Sequence, residues 1–264
     1  MKRGSYGGAI TPSTIGMPSS PQQERPRTQR KVPRRTGALP RVLWAVVIAL
    51  AFVLLLPYLL VPLYRWLNPI STLMVWRWIH GARVERSFVP IERIAPALPI
   101  TVIAAEDGRY CRHHGIDWQE LQDRLEDVDD LSEAKGVSTI TQQTVKNLFL
   151  WPGRSVVRKA LELPLALWID AVLPKWRVLE IYLNIAEWGP RGQFGAEAAS
   201  RYAFNKPARL LTPHEAALLA AVLPNPRRRS AKQPGPVVRR LANIYEARAN
   251  AQAGLAACAR PARA

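Results

Sequence analysis

The sequence predicts an all-helical protein with one N-terminal transmembrane helix. Three observations lead to this reading. A run of 23 residues, Val42 to Tyr64, carries no charged side chain, enough to cross a hydrocarbon core of roughly 30 Å. Beyond Ile91 the apolar residues recur at helical spacing. No segment shows sustained period-two alternation, and no internal repeat stands out. The chain has 264 residues, 48% of them hydrophobic, so that about one ordinary domain remains once tail and span are set aside.

Residues 1–41 are rich in Pro, Ser, Gly, Gln and Arg without apolar periodicity, and should be a disordered tail. The anchor follows at 42–64. Pro57 and Pro62 would kink its outer end, which membrane helices tolerate. A cleaved signal peptide would need a shorter apolar core and a small-residue cleavage site, and neither is evident. The tail carries nine basic side chains against Glu24 alone. The positive-inside rule therefore keeps the N-terminus cytoplasmic and places everything after Tyr64 outside. Of the formal net charge of +17, the larger share lies beyond the anchor. A basic domain beside an anionic membrane suggests a phosphate-bearing or lipid-headgroup partner. Nucleic acid is a poor partner for a domain facing away from the cytoplasm.

Residues 65–90 read as a membrane-proximal connector, with Trp66, Trp76 and Trp78 suited to the interface. Helices are expected over Ile91–Glu106, Trp118–Leu125, Thr139–Leu148 and Val156–Val172, then over Lys175–Ile185, Ala196–Phe204, Pro213–Val222 and Val238–Ala253. Thr212-Pro213-His214-Glu215 is a strong start signal, combining an N-cap, a first-turn proline and a capping glutamate. Acidic Gln119–Lys135 is the expected mobile stretch. Residues 91–253 would form one domain, followed by a tail at 254–264. Cys111 and Cys258 are too few for a disulfide framework or metal cluster. Their pairing stays open, and no structural role is expected of them.

Among residues that could carry chemistry, the run Gly136–Leu150 is the most informative. On a helical wheel Ile140, Thr144, Val145, Leu148 and Phe149 share one half, while Gln142, Gln143, Lys146 and Asn147 share the other. Carboxamides with a single cation suit sugar hydroxyls and phosphate oxygens, although an amide-rich surface helix would read the same way. Thr139-x-x-Gln142 forms a capping box. Glu106-Asp107 ends an apolar helix, where burial can raise a carboxyl toward the range of a general base. The alternative is that Arg109 and Arg112 neutralise the pair. Adjacent His113 and His114 point different ways, so His113 is better read as a clamp on Asp107 or Asp117 than as half of a two-His metal site. Glu162 lies on an apolar helix four residues after Arg158, as a paired ion or part of a site. Ser132-Glu133-Ala134-Lys135 matches Ser-x-x-Lys, but its companion motifs are missing.

Four longer segments then carry a resemblance. Glu106–Asp117 (EDGRYCRHHGID) resembles E-D-x-x-F-x-x-H-x-G-x-D, and Gly136–Asn147 resembles G-G-S-T-I-T-Q-Q-L-x-K-N. Arg158–Glu162 resembles R-K-x-x-E, and Lys175–Asn184 (KWRVLEIYLN) resembles K-x-x-I-L-E-x-Y-L-N. These are the ordered signatures of the peptidoglycan glycosyltransferases, shared by class A penicillin-binding proteins and single-domain enzymes. The chain has no room for a transpeptidase, and Pro174 and the run at 223–227 (LPNPR) fit the monofunctional branch of Gram-negative bacteria. Tyr110 replaces Phe, Val137 a small residue and Thr144 a Leu, with no charged motif residue lost.

The resemblance implies a lysozyme-like helical glycosyltransferase domain that polymerises lipid II by inverting transfer. Glu106 would be the general base and Glu162 the second catalytic carboxylate near the diphosphate, there holding Mg²⁺ or Mn²⁺. Lys146, Arg158 and Lys159 would clamp the pyrophosphate, while Asp107, Ser138, Gln142, Gln143 and Asn147 would bind substrate. Lipid II, the nascent glycan chain and the membrane are the implied partners, with cell-division or elongation proteins as candidates. The implied location is the cell inner membrane, with the catalytic domain in the periplasm. A lytic glycosidase on the same scaffold has no use for clustered cations, and an inactive assembly scaffold would not need both Glu106 and Glu162.

Overall fold

The computed structural model describes residues 8, 38–126, 138–153, 155–251, 254 and 256–261. The expected disorder of residues 1–37, the 127–135 part of the acidic stretch with its Ser-x-x-Lys match, and the Gly136 and Val137 positions lie outside the described residues. The chain divides into two compact units, residues 1–45 and 46–264. Of the first, residues 38–45 are described as helix, the beginning of α1 (Ala38–Leu63).

The described part of the chain is helical. After α1 come α2 (Thr72–Ile79), α3 (Ala97–Glu106), α4 (Trp118–Glu126), α5 (Ile140–Phe149) and α6 (Val156–Val172). The series continues with α7 (Lys175–Ile185), α8 (Ala196–Phe204), α9 (Pro213–Val222) and α10 (Pro236–Ala251). Helix α1 includes one segment, Arg41–Leu63, long and apolar enough to cross a membrane.

Three departures from the sequence reading have local causes. The stretch expected as one helix from Ile91 breaks into a 3-10 turn at Ile91–Arg93 and α3. Pro96 removes a backbone donor there and disfavours helical geometry at Ala95. The connector contains α2, whose start is capped by Ser71 accepting from the Met74 N–H at 3.1 Å. Two-residue strands β1 (Glu85–Arg86) and β2 (Gln193–Phe194) pair in parallel, with Glu85 opposite Gln193. Strands that short leave no alternation to read.

Two apolar clusters organise residues 46–264. In one, α9 packs between α3 and α10, with Leu98, Val102, Ile103, Leu179 and Leu219 buried. The other joins α5, α6 and α7 through Val145, Leu165, Ile169, Val178 and Ile181, and takes in Val61 of α1 and Met74 of α2. The outer end of α1 is fastened by polar contacts as well. Trp168 Nε1 donates to the Tyr58 carbonyl at 3.1 Å, and Arg177 donates to the carbonyls of Tyr64 at 2.8 Å and Leu67 at 2.7 Å.

The cysteines do have a structural role. Cys111 and Cys258 form a disulfide across 147 residues, which fixes a 3-10 turn at Ala257–Ala259 against the first cluster. The expectation of no role failed because the partners lie far apart in sequence, where spacing carries no signal.

Candidate active site

Helix α3 is apolar along its length and presents Glu106 as its last residue. Glu106 Oε2 accepts from Gln143 Nε2 at 2.8 Å, and Gln143 Oε1 accepts from the Tyr182 hydroxyl at 3.0 Å. Tyr182 thereby orients the carboxamide so that its NH₂ faces Glu106. Burial pushes the Glu106 carboxyl above its ordinary value, and the Gln143 bond and the Lys146 charge oppose that rise. Of the two readings left open by the sequence, neutralisation by Arg109 fails, because Arg109 makes a bidentate pair with Asp117 at 2.8 Å for each bond.

Asp107 is buried, accepting from His113 Nε2 at 2.9 Å and from the Ile140 N–H at 2.9 Å. A carboxylate bonded to the first amide of α5 also complements the helix dipole. His113 is the clamp expected, while His114 turns outward. The loop between them and α4 lies directly on α6. A Cβ at Gly115, where φ is +77°, would stand 2.5 Å from the Ala166 carbonyl oxygen, so only glycine fits. Thr139 Oγ1 donates to the Gly115 carbonyl at 2.6 Å, joining this loop to the start of α5.

On α5 the four polar residues divide. Gln142 is 3% exposed and completes the capping box, accepting from the Thr139 N–H at 3.0 Å. Its carboxamide oxygen is committed to the backbone, and neither it nor Asp107 is among the residues lining the cavity. Gln143, Lys146 and Asn147 instead line a cavity of about 430 Å³ together with Arg158, Tyr182 and Glu187. The Lys146 ammonium makes no hydrogen bond or ion pair with a described residue. Burial and the neighbouring Arg158 lower its pKa.

The remaining cations come from the first turns of α6, capped by Ser155. Glu162 is buried and paired with both Arg158 and Lys159. Lys159 Nζ also donates to Ser138 Oγ at 2.8 Å, which draws Ser138 into the cationic group. Burial, followed by the charges of Arg158 and Lys146, lowers the Lys159 pKa to about 8. Two cations paired with one buried carboxylate, with Lys146 beside Arg158, leave a net positive group, suited to an anionic ligand.

The expected divalent cation does not fit Glu162. Both of its oxygens are taken by cations, and among the described residues no cluster of three potential ligands includes it. Asp107, His113 and Asp117 place ligand atoms within 4.8 Å of one another. However, Asp117 is occupied by Arg109, and Asp107 by His113 and the Ile140 amide. A hydrogen-bonded clamp accounts for these three side chains.

Sequence reasoning missed Tyr182 and Glu187. Tyr182 sits in a recognised motif on α7, but its contact with Gln143 spans 39 residues. The other polar residues of that motif are structural. Glu180 accepts from the Ile91 N–H at 2.7 Å and pairs with Arg177, while Asn184 exchanges two bonds with the Val89 backbone.

Comparison with known proteins agrees with this geometry. A family model described as Transglycosylase matches residues 74–249. The chain is 62% identical over 211 residues to a biosynthetic peptidoglycan transglycosylase of Nitrobacter hamburgensis, covering 80% of this chain and 93% of the relative. A protein of the same description from Rhodopseudomonas palustris is 59% identical over 233 residues, or 88% and 94% of the two chains. One from Agrobacterium fabrum is 46% identical over 215 residues, or 81% and 95%.

Proposed function

The chain belongs to the transglycosylase family, and from that membership we propose that it polymerises lipid II into β-1,4-linked glycan strands, releasing undecaprenyl diphosphate. Its enzyme class is peptidoglycan transglycosylase. The observation that carries the finer reading is a buried carboxylate, Glu106, bonded to Gln143, with Gln143, Lys146 and Arg158 lining one cavity and Lys159 joined to Arg158 through Glu162.

An inverting displacement needs a base on one side of the anomeric carbon and leaving-group stabilisation on the other. Glu106, its carboxyl raised by burial, takes the proton from the acceptor's 4-hydroxyl as that oxygen attacks C1 of the donor. Gln143 holds the carboxylate in place. Lys146, Arg158 and Lys159 bind the diphosphate whose negative charge grows as the bond breaks. Glu162 is the counter-ion that holds Arg158 and Lys159 together, and Ser138 and Asn147 contact phosphate or sugar oxygens. Any Mg²⁺ or Mn²⁺ would arrive with the diphosphate, since the protein offers it no prepared oxygen cage. Helix α1 anchors the enzyme in the inner membrane, with the basic tail cytoplasmic and the catalytic unit periplasmic beside its lipid-linked substrate. Division or elongation proteins are the candidate assembly partners.

Purified full-length protein should convert lipid II to polymer. Glu106→Gln should lower turnover at least 10³-fold, near the upper range for loss of a general base, with its thermal melt retained. Turnover close to that of the parent would remove Glu106 as the base. Release of muropeptides from sacculi with lipid II untouched would establish lytic chemistry instead.

A further inference from the structure

The reaction proposed above, on which this inference rests, depends on where Glu106 is held. On one side the carboxylate is bound by the Gln143–Tyr182 chain, which starts from α7. On the other its backbone runs straight into a tight turn. There the Tyr110 N–H donates to the Asp107 carbonyl at 3.0 Å and the Arg112 N–H to the Arg109 carbonyl at 2.7 Å. Cys111 sits in that turn, between buried Tyr110 and Arg112.

The disulfide joins this turn to the 3-10 turn at Ala257–Ala259, which packs against α7 with Ala259 buried. The contacts therefore close on themselves. From Glu106 the chain leads to Cys111, the bridge leads to Cys258, and α7 leads back through Tyr182 and Gln143 to the same carboxylate. Tyr110 ties the turn to α7 a second time, its hydroxyl donating to the Lys175 carbonyl at 2.7 Å. That tie lies at the start of the helix, about two turns before Tyr182. Both cysteines are only partly buried, which leaves the bridge open to a thiolate from solvent.

We propose that the Cys111–Cys258 bridge positions Glu106 through this closed set of contacts, so that turnover depends on the oxidation state of the two cysteines. A dithiol reductant attacks one bridge sulfur as its thiolate and forms a mixed disulfide, from which it leaves as its own disulfide. Two electrons and two protons pass to Cys111 and Cys258, which end as thiols. A disulfide-bearing oxidant runs the exchange backwards. Once the bridge is cut, the turn at 107–112 loses its covalent tie to the segment on α7, and Glu106 is held from the Gln143 side alone. A bridge that served stability alone would leave the rate of the folded protein untouched.

The test uses full-length protein and lipid II, at a temperature where circular dichroism shows oxidised and reduced forms both folded. Dithiothreitol should lower kcat about 10- to 100-fold, the scale of a misplaced catalytic group, with KM little changed. Oxidised glutathione should restore it. Cys258→Ser should match the reduced parent and ignore dithiothreitol. The acid limb of its kcat/KM profile should also move to lower pH, because a slackened turn admits water to the Glu106 carboxyl. Lys146 of α5, Arg229 beyond α9, the adjoining Asp107 and the Tyr182 and Tyr245 hydroxyls also face Glu106, and reduction alters none of them covalently. An unchanged kcat in the folded, reduced protein, or an acid limb that stays in place, would overturn the proposal. So would a Cys258→Ser variant that dithiothreitol slows further, since the reductant would then act elsewhere. If the oxidised parent leaves lipid II untouched, the proposed function falls. Amide exchange then still reads the bridge: faster exchange at 107–112 and in α7 on reduction supports the coupling, and unchanged protection refutes it.

Discussion

The alkaline limb of the pH–rate profile tests the cationic site directly, through Lys159→Arg. In the parent protein the Lys159 ammonium titrates near pH 8, for want of solvation and because Arg158 and Lys146 stand close. About nine-tenths of it is charged at pH 7 and about one-tenth at pH 9. If diphosphate capture needs that charge, kcat/KM for lipid II should fall about ninefold over the interval, since this parameter reports the free enzyme. A guanidinium stays charged throughout, so Lys159→Arg should flatten the profile between pH 7 and 9. A parent profile that is already level, or a variant that falls as the parent does, would refute the assignment. On the acid side, turnover should rise through a pKa above the ordinary carboxylate range as Glu106 ionises. Stability runs the other way for both groups. With a raised folded pKa, Glu106 contributes below the ordinary carboxylate value and loses that contribution as pH rises through the raised one. With a lowered pKa, Lys159 contributes above its ordinary value and loses that contribution as pH falls through about 8. Under the proposed function, catalysis would use the two protonation states that folding disfavours.

Two further outcomes follow from the same structure. Cys258→Ser opens a ring of 147 residues, for which chain entropy gives at most about 5 kcal/mol and practice about 2–5 kcal/mol. Its melting temperature should drop by about 5–15 °C, and reductant should bring the parent down to the same value; coincident melts of parent and variant without reductant would count against the bridge. Chelation with EDTA should leave the melting temperature unchanged, because the carboxylates of Asp107 and Asp117 are already held by protein partners. A fall of several degrees, restored by a divalent cation, would place a structural ion among them.

The parts of this molecule legible in its sequence are those written locally. The α5 capping box, the Arg158–Glu162 pair one helical turn apart and the first-turn proline of α9 are contacts between near neighbours, and each is present. Gln142 shows how a local signal can be read twice: it was expected both to close the capping box and to bind substrate, and its Oε1 closes the box by accepting from the Thr139 N–H. What stayed hidden joins distant segments. Tyr182 reaches Gln143 across 39 residues, Arg77 reaches Glu187 across 110, and Cys111 reaches Cys258 across 147. Neither helical period nor spacing encodes such partners. The residue types at the site and the helices that carry them were visible, but how those helices meet was not.

The fastening of α1 has a further consequence. Pro62 has no N–H, so the Tyr58 carbonyl four residues earlier lacks its helical donor, and Trp168 of α6 supplies one instead. Arg177 claims two more carbonyls just beyond. The C-terminal end of α1 is thus a mast stepped into the helices it meets rather than a leash. Under the proposed function, the height of the cleft above the lipid is set by the rigid register of that helix. Under the same proposal, a growing strand is fed past a cleft held at fixed height.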